Sequence, residues 1–186
     1  FRRVLFRSDT GITIGAGGYV TAQARSGAPH IVASAGGLQT KSMALIIARR
    51  PDTVTVSGKL RDTLQYVVPD VASTNTTASL ALKVVTRDTA GAVTATQGWL
   101  VSYQLFHDGA AVAATDTTLA SLVGDNGGRS ALDTTGTDGV ASRKVRVRPL
   151  GIRANPDSVV VLATVRYRGA AVRGTPVRFV ILLRPK

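Results

Sequence analysis

Cysteine is absent from the 186-residue chain. Its absence excludes disulfide staples and thiolate chemistry, and leaves apolar burial to hold the fold together. Glutamate is absent as well, all eleven acids being aspartate. Paired-carboxylate catalysis would have to run on two aspartates, and these stand singly in turn contexts such as RDTAG, HDG, GDNGG and TDG. Only two histidines occur, His30 and His107, far apart in sequence. Neither stands near a cysteine or a carboxylate pair at ligand spacing, so a zinc-type site is not expected and both read as structural residues at strand ends. No serine lies in a G-x-S-x-G elbow, and no motif supplies a base for one. The longest apolar run, Met43 to Ala48, falls far short of the roughly 20 residues that cross a bilayer as a helix. The chain reads as non-enzymatic, with no cofactor and no transmembrane segment.

Helical periodicity is missing too. No stretch of about eleven residues keeps a 3.6-residue apolar period. What is present is β-branched apolar runs cut by glycine, aspartate, asparagine and proline, with 44% hydrophobic residues and 19 glycines. That pattern predicts an all-β fold of short strands in a sandwich or barrel. Two stretches end alike: His30 to Pro51 (HIVASAGGLQTKSMALIIARRP) and Val159 to Pro185 (VVVLATVRYRGAAVRGTPVRFVILLRP). Each is an apolar strand, a glycine-containing turn and a second apolar strand that stops at Arg-Pro. A repeated closing hairpin is the mark of tandem modules.

Residues Phe1 to Ser8 (FRRVLFRS) fit no strand, helix or signal-peptide pattern. One reading frame of a common short-read library adapter translates to these eight residues, so they are expected to be an artefactual leader without packing. Arg2, Arg3 and Arg7 fall in this leader, and setting them aside lowers the net charge by three, from +12 to +9. The remainder is still basic, with 18 arginines to 5 lysines in the whole chain. Such charge favours anionic surfaces in general and predicts no specific nucleic-acid partner.

Four short strands are predicted between Asp9 and Arg50, near Gly11 to Ile14, Tyr19 to Gln23, His30 to Ser34 and Ser42 to Ala48. Arg49, Arg50 and Pro51 read as a linker, because proline cannot continue a ladder and restricts the residue before it. Beyond it, strands are predicted at Thr53 to Ser57, Leu64 to Val68, Leu80 to Thr86, Trp99 to Phe106, Leu119 to Val123, Val140 to Val147, Ser158 to Tyr167 and Val177 to Leu183. The segment GYVTAQARSGAPHIVASAGG, through Gly18, Val20, Thr21, Ala22, Gly27, Ile31 and Ala33, resembles the second half of a bacterial immunoglobulin-like module of the invasin and intimin kind. Further matching positions are Leu82, Val84, Asp88, Gly91, Val101 and Tyr103, and then Thr137, Asp138, Gly139, Val140 and Ala141. The chain departs from the pattern by one residue fewer between Asp138 and Val140 and by a long polar stretch from Asp108 to Asp138. The resemblance implies tandem immunoglobulin-like β-sandwiches: residues 9-50 as the C-terminal part of a first, truncated module, and 51-186 as a second.

The loop GDNGGRSALDTTGTDG (Gly124 to Gly139) offers Asp125, Asn126, Asp133 and Asp138 as oxygen ligands for calcium, but it lacks EF-hand spacing and reads rather as an exposed, mobile connection. Trp99, Val101, Tyr103 and Leu105 alternate with Leu100, Ser102, Gln104 and Phe106, so one stripe faces inward, and Trp99 and Tyr103 are expected in the core rather than on a sugar platform. The GAGG of Gly15 to Gly18 reads as a turn, since no lysine or helix follows it. Lys144, Arg146 and Arg148 alternate with valines, as do Arg166 and Arg168 with Val165 and Tyr167, so both sets are expected to point outward into solvent; the immunoglobulin-like resemblance implies that they lie on opposite faces of the sandwich. Arg166, Arg168, Arg173 and Arg178 are the one group expected to share a surface; solvated, splayed guanidinium groups are the first reading there, and a patch for an anionic ligand is the alternative. The functional expectation is a structural spacer or presentation section of a bacterial cell-surface or secreted protein. Its partners would be neighbouring modules of the same chain. An adhesin or a module binding cell-surface polysaccharide or another anionic polymer is the alternative.

Overall fold

The structure is a computed structural model, which describes residues 5–8, 11–15, 19–23, 27–35, 37–40, 43–45, 47, 49–152 and 155–186. The chain divides into two compact units, Phe1–Arg49 and Arg50–Lys186.

In the first unit β1 (Leu5–Ser8) pairs antiparallel with β4 (His30–Ala35), Leu5 opposite Ser34 and Ser8 opposite Ile31. The expectation that residues 1–8 form no strand is corrected for residues 5–8. An unpaired strand edge offers its N–H and C=O groups to any extended segment, whatever its side chains. A separate hairpin joins β2 (Ile12–Ile14) to β3 (Val20–Ala22). Of the expected GAGG turn, Gly15 donates its N–H to the Tyr19 carbonyl at 2.9 Å, and residues 16–18 lie outside the described residues. The opposite edge of β4 takes β5 (Leu38–Gln39) and then β6 (Met43–Ala44). Residues 42, 46 and 48 of the predicted last strand also lie outside the described residues.

The second unit is a two-sheet sandwich. One sheet runs in the order β7 (Thr53–Val56), β9 (Leu80–Arg87), β15 (Val140–Val147), β13 (Ala120–Val123), with β10 (Val93–Ala95) beside β9. The other runs β8 (Arg61–Tyr66), β18 (Val177–Pro185), β16 (Asp157–Tyr167), β11 (Leu100–His107), with β12 (Ala110–Val112) and β14 (Leu132–Thr134) on the far side of β11 and β17 (Ala170–Ala171) on β16. In chain order these are the A-B-E-D and C-F-G sets of an immunoglobulin-type sandwich. A short 3-10 turn at Pro149–Gly151 carries the chain from one sheet to the other.

Period-two alternation explains why these strands form where they do. In β11 Val101, Tyr103 and Leu105 are buried while Ser102 and Gln104 are exposed, and in β16 every second residue from Asp157 to Val165 is buried. These faces meet Leu82 and Val84 of β9, Leu122 of β13, Val145 and Val147 of β15, and Phe179, Ile181 and Leu183 of β18 in one continuous core. The sandwich also demands glycine where backbones approach closely with positive φ, at Gly139 and Gly174. Gly139 (φ 77°) would bring a Cβ to 2.7 Å from the Val84 carbonyl, and a Cβ on Gly174 (φ 88°) would run into the Val54 carbonyl.

Several expectations are corrected. The predicted strand at Leu64 to Val68 begins earlier, at Arg61, because β8 pairs in parallel with β18 from Arg61 opposite Val180 to Tyr66 opposite Pro185, and main-chain bonding does not need apolar side chains. Within the polar stretch from Asp108 to Asp138 the predicted strand at Leu119 to Val123 is present as β13, and two strands not predicted, β12 and β14, also form, with Leu132, Asp133 and Thr134 paired to Ser102, Val101 and Leu100. Trp99 precedes β11 and is half-buried at the core margin, its ring 6.0 Å from that of Tyr167 and its indole N–H donating to the Arg166 carbonyl at 3.3 Å. Tyr103, in contrast, is in the core at 2% exposure.

Candidate functional site

The expected outward cations Lys144, Arg146 and Arg148 do face away from the sandwich core, but Arg146 is buried and the other two are only partly in solvent. The segment from Asp70 to Thr77 folds over them. Its anchor is the buried Asn75, whose Oδ1 accepts the Val67 N–H at 2.7 Å and whose amide donates to the Val67 carbonyl at 3.0 Å and to Asp70 Oδ1 at 2.9 Å. Thr77 closes the other side, with its N–H on the Val145 carbonyl and its hydroxyl accepting the Val145 N–H at 2.9 Å. Arg146 is consequently buried, and its guanidinium reaches Asp70 Oδ1 at 2.6 Å and the Val147 carbonyl at 2.6 Å. Arg148 takes the other Asp70 oxygen at 2.6 Å. Partial burial pushes the Asp70 carboxyl up, but the hydrogen bonds from Arg146, Arg148 and Asn75 outweigh it and hold the pKa at about 2.

Across β15 from this flap, β13 runs into a tight glycine loop. Gly127 takes φ 75°, Gly124 and Gly128 bond at 2.9 Å, and Asn126 Oδ1 accepts the Gly128 N–H at 2.9 Å. The loop returns Arg129 opposite Val123. Flap and loop bound a recess of about 460 Å³ lined by Ser73, Thr76, Arg129, Lys144, Arg146 and Arg148 among others. Lys144 pairs with the exposed Asp125 at 2.9 Å, and this hydrogen bond holds the Asp125 carboxyl below its ordinary range. Among the described residues, the exposed Arg129 side chain makes no ion pair or hydrogen bond.

The four residues of the calcium reading do not converge. Asp125 is taken by Lys144 and Asn126 by its own loop; Asp133 pairs with Arg143 at 3.2 Å and accepts the Ser142 N–H at 2.7 Å; Asp138 accepts the Val140 N–H at 3.0 Å. The structure instead assembles a different group that sequence spacing could not reveal. His107 Nε2 lies 2.9 and 3.0 Å from the two oxygens of the buried Asp157, and His107 Nδ1 lies 3.8 Å from Asp108. Fifty residues separate His107 from Asp157, so only the pairing of β11 with β16 shows the contact. Among the described residues these three are the side chains near enough to share a metal ion, although Asp157 is already engaged by the imidazole and by the Ser158 N–H at 2.6 Å.

The arginines expected to share a surface are placed as follows. Arg166 is exposed at the end of β16, its guanidinium on the Gly169 carbonyl at 2.8 Å. Arg168 lies in the following turn, not on the strand, with φ 50°, and stands 5.4 Å from the Tyr167 ring centre. Arg173 is exposed in the turn before β18, and its carbonyl accepts the Val54 N–H at 2.8 Å. Arg178 is exposed on β18 opposite Leu162, four residues or roughly 13 Å along β16 from Arg166. As expected, β15 and β16 lie in different sheets, which puts the two cationic sets on opposite faces.

Fold and site together define an all-β sandwich module with a basic recess on the outer face of one sheet. No protein-family model matches the chain, and no curated protein does. Among solved structures it is similar to the adhesin InvE of Yersinia pseudotuberculosis, at 14% identity over 98% of this chain and 49% of that one, with a TM-score of 0.42. It is also similar to domains 4-9 of the surface layer protein SbsC, at 12% identity over 98% of this chain and 22% of that one, with a TM-score of 0.32. A two-domain Bacteroides fragilis protein of unknown function matches 73% of this chain with 46% of its own at 10% identity and a TM-score of 0.41. The chain thus spans about half the length of the first.

Proposed function

We propose that the chain is a non-catalytic spacer and presentation section of a bacterial protein displayed at the cell surface or secreted, built of immunoglobulin-like modules in series. The observation that carries this reading is the parallel pairing of β8 with β18. Thr53 bridges Arg173 at one end of the sandwich, whereas Pro185 ends β18 at the other. The nine residues of β18 span roughly 30 Å, so the chain enters and leaves the unit at opposite ends. Tension between those ends slides β8 and β18 past each other and loads all six register pairs from Arg61 to Tyr66 together. A connector that must hold its length under load benefits from that arrangement. The invasin-type pattern at Gly27, Ile31 and Ala33 and at Thr137 to Ala141 supports placing it among surface modules. Among the described residues no helix is long and apolar enough to cross a membrane.

Single-molecule pulling on the chain through its two ends tests the mechanical part. The second unit is expected to resist and then release its full length in one step, and progressive unravelling at low force would overturn the reading. Antibodies against Arg50–Lys186 applied to intact cells test the location, with labelling only after permeabilisation as the contrary result.

A further inference from the structure

We propose that the recess between the Asp70–Thr77 flap and the Gly124–Arg129 loop binds an acidic sugar residue, with Arg129 clamping its carboxylate. Four cations, Arg129, Lys144, Arg146 and Arg148, line it. Two carboxylates answer them, Asp125 on Lys144 and Asp70 shared by Arg146 and Arg148. The site therefore keeps a positive excess of two, concentrated in a concave space of about 460 Å³, within the size range of small-ligand sites.

The four cations are not equivalent. Arg146 and Arg148 are held rigidly by Asp70, so they supply a fixed positive wall that no ligand has to order. Lys144 is tied to Asp125, which is itself exposed and displaceable. Arg129 alone among them has a guanidinium without a partner among the described residues, and its planar fork suits a carboxylate in a two-point contact. The Ser73 hydroxyl on the flap is likewise without a partner among the described residues and lies on the same recess, where it serves a sugar hydroxyl. No aromatic side chain lines the recess, which argues against a nucleobase, since bases bind by stacking.

The test uses the whole chain and three probes at physiological ionic strength: a galacturonic acid trimer, the neutral galactose trimer, and a sulfated heparin tetrasaccharide. Calorimetry is run on the wild type, Arg129→Ser and Arg178→Ser. Arg129 is exposed and unpaired, so its replacement leaves the fold intact, and Arg178 is an exposed arginine on the other sheet. The uronate trimer is expected to bind saturably, to weaken about tenfold or more in Arg129→Ser as a charge-assisted contact is lost, and to be unchanged in Arg178→Ser. The neutral trimer is expected not to bind, and the sulfated probe to bind more weakly than the uronate. Absence of saturable uronate binding, equal losses in the two variants, or tighter binding of the heparin fragment would overturn the assignment. A loss confined to Arg178→Ser would move the anion site to the patch of Arg166, Arg168, Arg173 and Arg178.

Discussion

Arg146 Nη2 donates to Asp70 Oδ1 at 2.6 Å across 76 residues of sequence, and this contact fastens the flap to the sheet it covers. The side chain of Arg146 is 9% exposed and that of Asp70 is 30% exposed, so the pair straddles the boundary between interior and solvent.

Removing Asp70 leaves the buried guanidinium of Arg146 without a counter-charge, a situation that costs about 3–5 kcal/mol when both partners are fully buried. Solvent access on the Asp70 side reduces this, and Asp70→Ala is expected to cost about 2–3 kcal/mol by urea unfolding. Arg148 reaches the same carboxylate from a more exposed position, and Arg148→Ala is expected to cost about 1 kcal/mol or less. Equal costs for the two would show that the buried guanidinium of Arg146 does not depend on Asp70 for its counter-charge.

The same carboxylate sets an acid limit on stability. Its folded pKa of about 2 lies below the roughly 3.9 of an unfolded aspartate, so its contribution is fully present above about pH 4 and is lost as the pH falls toward 2. Asp116 carries the same sign, held low foremost by the Leu119 N–H, so some of the acid loss persists without Asp70. Unfolding free energies measured from pH 5 to pH 2 are expected to fall more steeply for the wild type than for Asp70→Asn. Parallel curves would rule the ion pair out as the source.

Trp99 tests how far alternation can be trusted at a strand end. It stands on the inward stripe by count, yet it lies half-buried before β11, against Tyr167 and the Arg166 carbonyl. Trp99→Ala is therefore expected to cost about 2–3 kcal/mol, less than the 3–5 of a fully buried tryptophan. Trp99→Phe keeps the ring contact and gives up only the indole bond, for about 1 kcal/mol. Thermal unfolding of the two variants measures both, and loss of the fold in Trp99→Phe would contradict the marginal position.

What the sequence made legible was whatever repeats locally. The β-branched apolar runs identified the all-β class, the alternation in β11 identified the inward Tyr103, and the immunoglobulin-like resemblance placed β15 and β16 in different sheets. Three features escaped because their causes are non-local. The start of β8 at Arg61 comes from pairing with β18, and β14 at Leu132–Thr134 exists because the edge of β11 needed a neighbour. The burial of Arg146 depends on a flap about 70 residues earlier in the chain: alternation told which way the side chain points, but not what lies on top of it. The His107–Asp157 contact has the same origin, two strands brought side by side.

The pairing of Leu5–Ser8 with β4 raises the question of what a segment with the sequence of a library adapter contributes. The bonds that β1 makes to Ile31 through Ser34 are main-chain bonds, and an open edge accepts an extended partner without regard to its side chains. Deleting Phe1–Ser8 is therefore expected to speed hydrogen exchange at those β4 amides that face β1. The amides of β4 that face β5 and β6 should keep their protection, and the unfolding transition of Arg50–Lys186 should stay where it is, because that unit has its own core. Replacing Leu5–Ser8 by Thr-Val-Thr-Val, another extended tetrapeptide, should restore the lost protection if only the backbone matters. Failure of that replacement, with the original segment protecting and the substitute not, would mean that the side chains of residues 5–8 are specifically recognised, and the segment would then have to be read as native to the unit.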